Sequence, residues 1–392
     1  MIDEKAMKER KKAINSLMER INKESGKTGG GTPLIFRASD RPDLVTTQHI
    51  TTSIPQVDEA FGGGVPKGIV TTFWGPYNCG KTFLAMRIAS QVAKAGGTVL
   101  YVDLEGMGKS LSLFEQKLGL NPEQVYVLRA NDYGDELVDA IEALLYDPKT
   151  KSPRNIIDLV IVDSITNLAP KANMDKVDKD GAAGGTKVGA HAKLMTDWLT
   201  RYYGRGVCAG DQAVILISQA RAAISTSGGG HGPQFQATGG NSVLHDSRLM
   251  VKFGRRVIYK KIPTGLAAVG QTVILTIDKN STTGLIGKKV EYSVNYAADL
   301  DDIDNIINKL TEWGYIASAK RGYKTIICPP LGDINVKNAE LEHLLRAREE
   351  IYDALKTIYL QGKPKQPPEL VGNEYLIENI SEDIDPDSLS TE

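Results

Sequence analysis

The chain has 392 residues and a net charge of −1, with 41% apolar and 24% charged residues, the balance of a globular protein with room for more than one folded unit. No apolar run approaches the roughly 20 residues a membrane helix needs, and the charged start MIDEKAMKERKK lacks the apolar stretch of a secretory signal. Three scattered cysteines, Cys79, Cys208 and Cys328, argue against a disulfide framework or zinc site and for a reducing, cytoplasmic setting.

Residues 3–23 read as an amphipathic helix, with Met7, Ile14, Leu17, Met18 and Ile21 at helical spacing. The segment SGKTGGGTP (25–33) then breaks it as a linker, so that 1–33 forms an N-terminal helix and linker. With the apolar Leu34-Ile35-Phe36 behind it, this helix docks either on a neighbouring subunit or on its own core. From residue 50 to about 298, strand and helix signals alternate. Strand-like runs are Ile69–Trp74, Thr98–Asp103, Val125–Leu128, Ile156–Asp163, Ala213–Gln219, Arg248–Phe253, Thr272–Asp278 and Lys289–Asn295. Helical patterns fall at 56–61, 82–95, 110–118, 134–146 and 187–204. The early strands are continuously apolar, which predicts a mostly parallel sheet covered on both faces and an α/β core over 34–298. Two long Gly-rich interruptions, at 170–190 and 220–241, are candidate functional loops. Residues 299–361 read as a small α+β domain ending in one helix from about Lys337 to Leu360. Residues 362–392 form an acidic tail. From residue 361 onward eight carboxylates stand against Lys363 and Lys365, a net −6, so the rest of the chain carries +5. That mildly basic body suits a polyanionic partner for which the tail can compete, although charge alone favours a solvated, disordered terminus.

The stretch GPYNCGKT, from Gly75 through Pro76, Tyr77, Asn78, Cys79, Gly80 and Lys81 to Thr82, fits G-x-x-x-x-G-K-[ST]. It follows the apolar strand IVTTFW and opens the helix FLAMRIASQVAKA, the context a phosphate-binding loop requires. Its backbone amides would cradle the phosphates of ATP, Lys81 would reach the β- and γ-phosphates, and Thr82 would hold Mg²⁺. Asp163 closes the buried run LVIVD and is the candidate second metal-side carboxylate. Glu105, just beyond the strand VLYVD, should stand at the same edge and can orient or deprotonate the attacking water; Asp103 competes for that role. Gln219 ends the strand VILISQ before the second loop, as a phosphate-sensing amide or simply a polar strand end.

Taken together, these segments resemble the bacterial RecA and phage UvsX recombinase family. The likeness runs from about Ser53 to Gly314 and rests on SIPQVDEAFGGGVPKG (53–68), the phosphate loop, YVDLE, VIVDSITNLAPKA, LISQARA and TGGNSVLHDSRL (238–249), in family order. The resemblance implies a RecA-like P-loop ATPase core and favours Glu105 over Asp103. It places single-stranded DNA against the two Gly-rich loops, with Lys193, Arg221, Gly239, Gly240 and Asn241 as DNA contacts. Lys171, Lys176, Lys179, Lys187 and Lys193 make the first loop region basic, as phosphate contacts require. It further implies ATP bound between subunits, with Lys279 reaching the neighbour's γ-phosphate. Ser281 departs from the family's second lysine, GMGKSLS after Glu105 departs from its adenine contacts, and the family's basic pair before Lys279 is missing. Arg255, Arg256, Lys260 and Lys261 either supply that charge instead or form a solvated basic hairpin, the reading their sequence favours. The divergence suggests a phage-type member.

The expected function is therefore a DNA-dependent ATPase that forms helical filaments on single-stranded DNA. Such a protein pairs that strand with homologous duplex DNA and exchanges strands, alongside mediator and single-strand-binding proteins. A ring helicase on the same core would instead form hexamers, and a regulatory P-loop ATPase would turn over ATP without regard to DNA.

Overall fold

Runs of β-branched and apolar residues build one large sheet in the computed structural model, which describes residues 4–26, 33–129, 133–171, 173, 189–222, 235–237, 240–262, 265–296, 302–319, 322–329, 331–364 and 374–376. In chain order the strands are β1 (His49–Ile50), β2 (Val65–Pro66), β3 (Val70–Gly75), β4 (Val99–Asp103), β5 (Val125–Arg129), β6 (Tyr146–Asp147) and β7 (Ser152–Pro153). There follow β8 (Leu159–Asp163), β9 (Ala213–Ala222), β10 (Phe235–Ala237), β11 (Leu249–Ile262), β12 (Gly265–Asn280) and β13 (Lys289–Asn295). The chain divides into two units: Met1–Thr52, Ala60–Gly254 and Leu275–Lys289 form one, and Ser53–Glu59, Arg255–Ile274 and Val290–Glu392 the other.

The main sheet runs β13-β12-β11-β3-β9-β8-β4-β5, with β10 paired to β9. From β11 through to β5 every neighbouring pair is parallel, as crossover helices between strands require. β3, β4 and β8 are buried at every position. Alternate side chains point to opposite faces. Leu100, Val102, Val160, Val162 and Leu216 meet Leu137, Ile141, Met195, Trp198 and Leu199 of the helices Gly134–Leu145 and Ala190–Gly204. The helix Lys81–Lys94 also packs on β3, β4, β8 and β9 and buries Leu84, Met86 and Ile88. Each such aliphatic side chain contributes about 1.5–3 kcal/mol on leaving water. β5 is the exception to the apolar-run rule. It is the edge strand, and Tyr126 and Val127 are exposed there.

β11 and β12 run far beyond the expected 248–253 and 272–278. Past Phe253 the sequence turns charged (Arg255, Arg256, Lys260), so hydrophobicity fades while backbone pairing continues. The N-terminal helix spans Glu4–Gly26. Asn22 holds the following segment by two bonds, Nδ2 to the Ile35 carbonyl at 2.7 Å and Oδ1 from the Ile35 amide at 3.0 Å. Met7, Ile14 and Leu17 remain about half exposed.

In the second unit, β14 (Ile316–Ser318), β15 (Tyr323–Cys328) and β16 (Gly332–Lys337) form an antiparallel sheet, and β17 (Glu374–Leu376) adds in parallel to β16. Ile306, Leu310, Trp313, Ile334, Leu344, Leu355 and Tyr359 make its core. The single helix expected from Lys337 to Leu360 is instead a turn at Asn338–Glu340 followed by helices Leu341–Ala347 and Glu349–Gln361. Arg348 between them is extended (φ −120°, ψ 90°). Leu344, Ile351 and Leu355 keep helical phase across this break, so the apolar stripe conceals it. The tail beyond β17, the linker at 27–32 and most of both Gly-rich segments (174–188 and 223–234) lie outside the described residues.

Candidate nucleotide and DNA site

Parallel register gathers the chemistry at one edge. Gly75 at the end of β3 is paired with Gln219, and Asp163 at the end of β8 is paired with both Asp103 of β4 and Ile217 of β9. In a doubly wound sheet this carboxyl edge is where ligands bind. Gly75 sits at φ 151°, and a Cβ there would run into the Phe253 carbonyl, so the close approach of the neighbouring strand β11 requires glycine. Pro76, Tyr77, Asn78, Cys79 and Gly80 then turn the chain into the helix Lys81–Lys94, whose first amides point into the loop. Tyr77 is the loop's exposed tip, at 75% exposure. The buried Lys81 ammonium donates to the carbonyls of Gly75 (3.0 Å) and Pro76 (2.6 Å), over the loop. Cys79 is buried, its thiol donates to the Pro76 carbonyl, and burial raises its pKa, which keeps it protonated and unreactive.

The Thr82 hydroxyl donates to Asp163 Oδ2 at 2.7 Å, and the Tyr101 hydroxyl does so at 3.3 Å. Asp163 is buried, which pushes its pKa up to about 6, with the Thr82 bond opposing and the nearby Glu105 charge adding to the rise. Its Oδ1 is buried with no hydrogen-bond partner among the described residues. A carboxylate buried with an oxygen to spare beside a hydroxyl fits a hard cation such as Mg²⁺, which takes oxygen ligands. Glu105 Oε1 accepts two bonds, from Ser164 Oγ (2.6 Å) and from Gln219 Nε2 (2.8 Å). Asp103 is occupied differently: its two oxygens accept the Met107 and Gly108 amides at 2.8 Å and cap the turn Met107–Ser110. Asp103 is thus held by the backbone of that turn, whereas Glu105 is held through Oε1 by two side chains.

Lys81, Thr82, Asp163, Glu105 and Gln219 thus converge. Lys279 makes a different set of contacts. It donates to the carbonyls of Leu244 (3.0 Å) and His245 (2.7 Å), at the end of the helix Gly240–Asp246, where burial lowers its pKa. Cations are favoured at that helix end. Sequence reasoning missed Ser164, Thr166 and Tyr101 as parts of the network. Ser164 and Thr166 sit in the turn after Asp163, which is the one signal that could have pointed to them. It also missed Trp74, whose indole donates to Asp278 at 2.7 Å beneath the Lys252 ammonium.

Three of the DNA candidates, Lys193, Gly240 and Asn241, lie on two helices that touch. Lys193, exposed and ion-paired with Asp197 at 2.6 Å, is on Ala190–Gly204. Gly240 and Asn241 open the helix Gly240–Asp246. At φ 74° and with the Ala192 Cβ 2.7 Å from where its own would stand, Gly240 is held to glycine by both backbone and space. Arg221 lies near the end of β9, paired with Gln236 of β10. Gly239 lies outside the described residues.

The RecA N-terminal domain family matches residues 12–301. The protein RecA of Deinococcus radiodurans is 30% identical over 317 residues, covering 81% of this chain and 80% of that protein. Protein RecA of Thermus aquaticus is 28% identical over 357 residues, covering 91% and 96%. Among the described residues, no helix is long and apolar enough to cross a membrane.

Proposed function

Because the chain belongs to the RecA family, we propose that it is a DNA-dependent ATPase that assembles as a helical filament on single-stranded DNA and exchanges strands with homologous duplex. The observation that carries this reading is the convergence of Lys81, Thr82, Asp163, Glu105 and Gln219 at one sheet edge, where the strands run out toward the two Gly-rich segments. ATP is the substrate. The loop amides and Lys81 bind its phosphates, and Thr82 and Asp163 would hold a Mg²⁺ that would neutralise phosphate charge. Glu105 takes the proton of the attacking water. Gln219 ties Glu105 through its amide and, by turning that amide to the γ-phosphate, reports nucleotide to the segment that follows it. Lys193, Arg221, Gly239, Gly240 and Asn241 contact DNA, Gly239 and Gly240 by letting backbone amides approach phosphate. Lys279, from a neighbouring subunit, supports the γ-phosphate. The half-exposed Met7, Ile14 and Leu17 of the N-terminal helix supply an apolar face for self-association.

The test is ATP turnover with and without single-stranded DNA, with imaging of the same samples. Stimulated turnover on helical filaments is the expected result. Closed hexamers would point to a ring helicase, and turnover indifferent to DNA without filaments would point to a regulatory ATPase; either outcome overturns the reading.

A further inference from the structure

The turn that follows Asp163 touches the nucleotide site on one side and the flanks of the first Gly-rich segment on the other. On the nucleotide side, Ser164 donates to Glu105, and the Gln219 backbone N–H donates to Thr166 Oγ1 at 3.0 Å. Asn167 Nδ2 donates to the Leu104 carbonyl at 3.3 Å, next to Glu105. Within the turn, the Asn167 and Leu168 amides close back onto the carbonyls of Ser164 and Ile165. Ile165 and Leu168 are buried in the same core as Leu194, Met195 and Trp198 of the helix Ala190–Gly204.

The other side carries the flanks. The chain leading into the segment is fixed by the Gly134 amide on the Ala169 carbonyl (2.7 Å) and by Asp135 Oδ2 on the Lys171 amide (2.7 Å). The Lys171 ammonium lies 4.7 Å from the Tyr133 ring centroid. The chain leaving it begins the helix Ala190–Gly204, and there His191 Nε2 donates to the Ile165 carbonyl at 2.7 Å. His191 stands two residues before Lys193 and next to Ala192, the side chain against which Gly240 packs. One imidazole therefore joins the turn that holds Glu105 and Gln219 to the helix that carries the DNA candidate Lys193.

We infer that His191 is a positioning residue that couples nucleotide occupancy to single-stranded DNA binding, through its hydrogen bond to the Ile165 carbonyl. The inference rests on the proposed function and adds the route by which the two ligands sense one another. Any change in how Glu105 and Gln219 are held moves Ser164 and Thr166, and with them Ile165. His191 carries that movement to the start of the helix bearing Lys193. Coupling of this kind is a free energy shared by two binding events, and it acts equally in both directions. Physical adjacency alone does not establish it, so the test measures the coupling itself.

The experiment compares the full-length protein with His191→Ala and His191→Gln, the latter keeping an N–H donor at similar reach. Affinity for a single-stranded oligonucleotide is measured with and without a non-hydrolysable ATP analogue. Analogue affinity is measured with and without the oligonucleotide. In His191→Ala each affinity measured alone stays at the wild-type value, while the mutual enhancement falls by about fivefold in both directions, the worth of one hydrogen bond. His191→Gln restores most of it. Full enhancement in the folded alanine variant would overturn the inference, and so would equal loss in the alanine and glutamine variants, since that pattern reports packing rather than the bond. A wild-type protein that shows no enhancement would instead overturn the functional reading on which the inference stands.

Discussion

Replacing Asp163 by asparagine in nucleotide-free, metal-free protein separates the cost of its charge from the value of its hydrogen bonds. The wild-type carboxyl has its pKa raised by burial from 3.8 to about 6. A raised carboxyl pKa means the charged form is disfavoured in the folded state. Stability from this group is fully present below the unfolded pKa and is lost as pH rises through the folded pKa. Linkage places the loss at about 3 kcal/mol at pH 8 and about 1.6 kcal/mol at pH 5. Asparagine can keep the acceptor for Thr82 and Tyr101 but presents an amide N–H₂ where Oδ1 has no described partner. That mismatch costs about 1–3 kcal/mol at every pH. The absolute difference between the two proteins is therefore not diagnostic, whereas its change with pH is. Urea unfolding in EDTA, followed through Trp74 and Trp198 of the first unit, should show Asp163→Asn gaining about 1.4 kcal/mol on wild type between pH 5 and pH 8. Added magnesium and nucleotide should reverse the trend by stabilising wild type alone. A difference that stays flat across that range would refute the burial argument and with it the placing of an uncompensated charge beside Thr82.

Glu105→Gln should bind ATP and DNA as wild type does while turnover falls by about 10²–10⁴-fold; Ser164 can still donate to the amide oxygen, so normal turnover would remove Glu105 from the chemistry. Lys193→Ala should weaken single-stranded DNA binding evenly across sequences and lower the slope of log affinity against log salt by about 0.7. An unchanged slope would mean that Lys193 serves only its ion pair with Asp197. Deletion of residues 378–392, which removes six carboxylates, should strengthen DNA binding at moderate salt, and an unaltered salt dependence would show that the tail does not compete.

The sequence by itself determined what lies along the chain over short distances. The strand, glycine-rich loop and helix around Gly75–Thr82 were legible from spacing alone, as were the strand end at Asp163 and the parallel sheet from its continuous apolar runs. Local order also placed Glu105 just beyond the strand-like run Thr98–Asp103 and Gln219 at the end of the apolar run VILISQ. Only the tertiary structure revealed that the turn at Met107–Ser110 occupies both oxygens of Asp103. It also revealed that Glu105, Ser164 and Gln219 share one oxygen, that Lys279 caps the helix after the second loop, and that His191 bonds Ile165. Those contacts join residues 26 to 114 positions apart. Periodicity and motif spacing report the backbone's local preferences, whereas a hydrogen bond between distant residues depends on strand register and helix packing, which exist only once the chain has closed on itself.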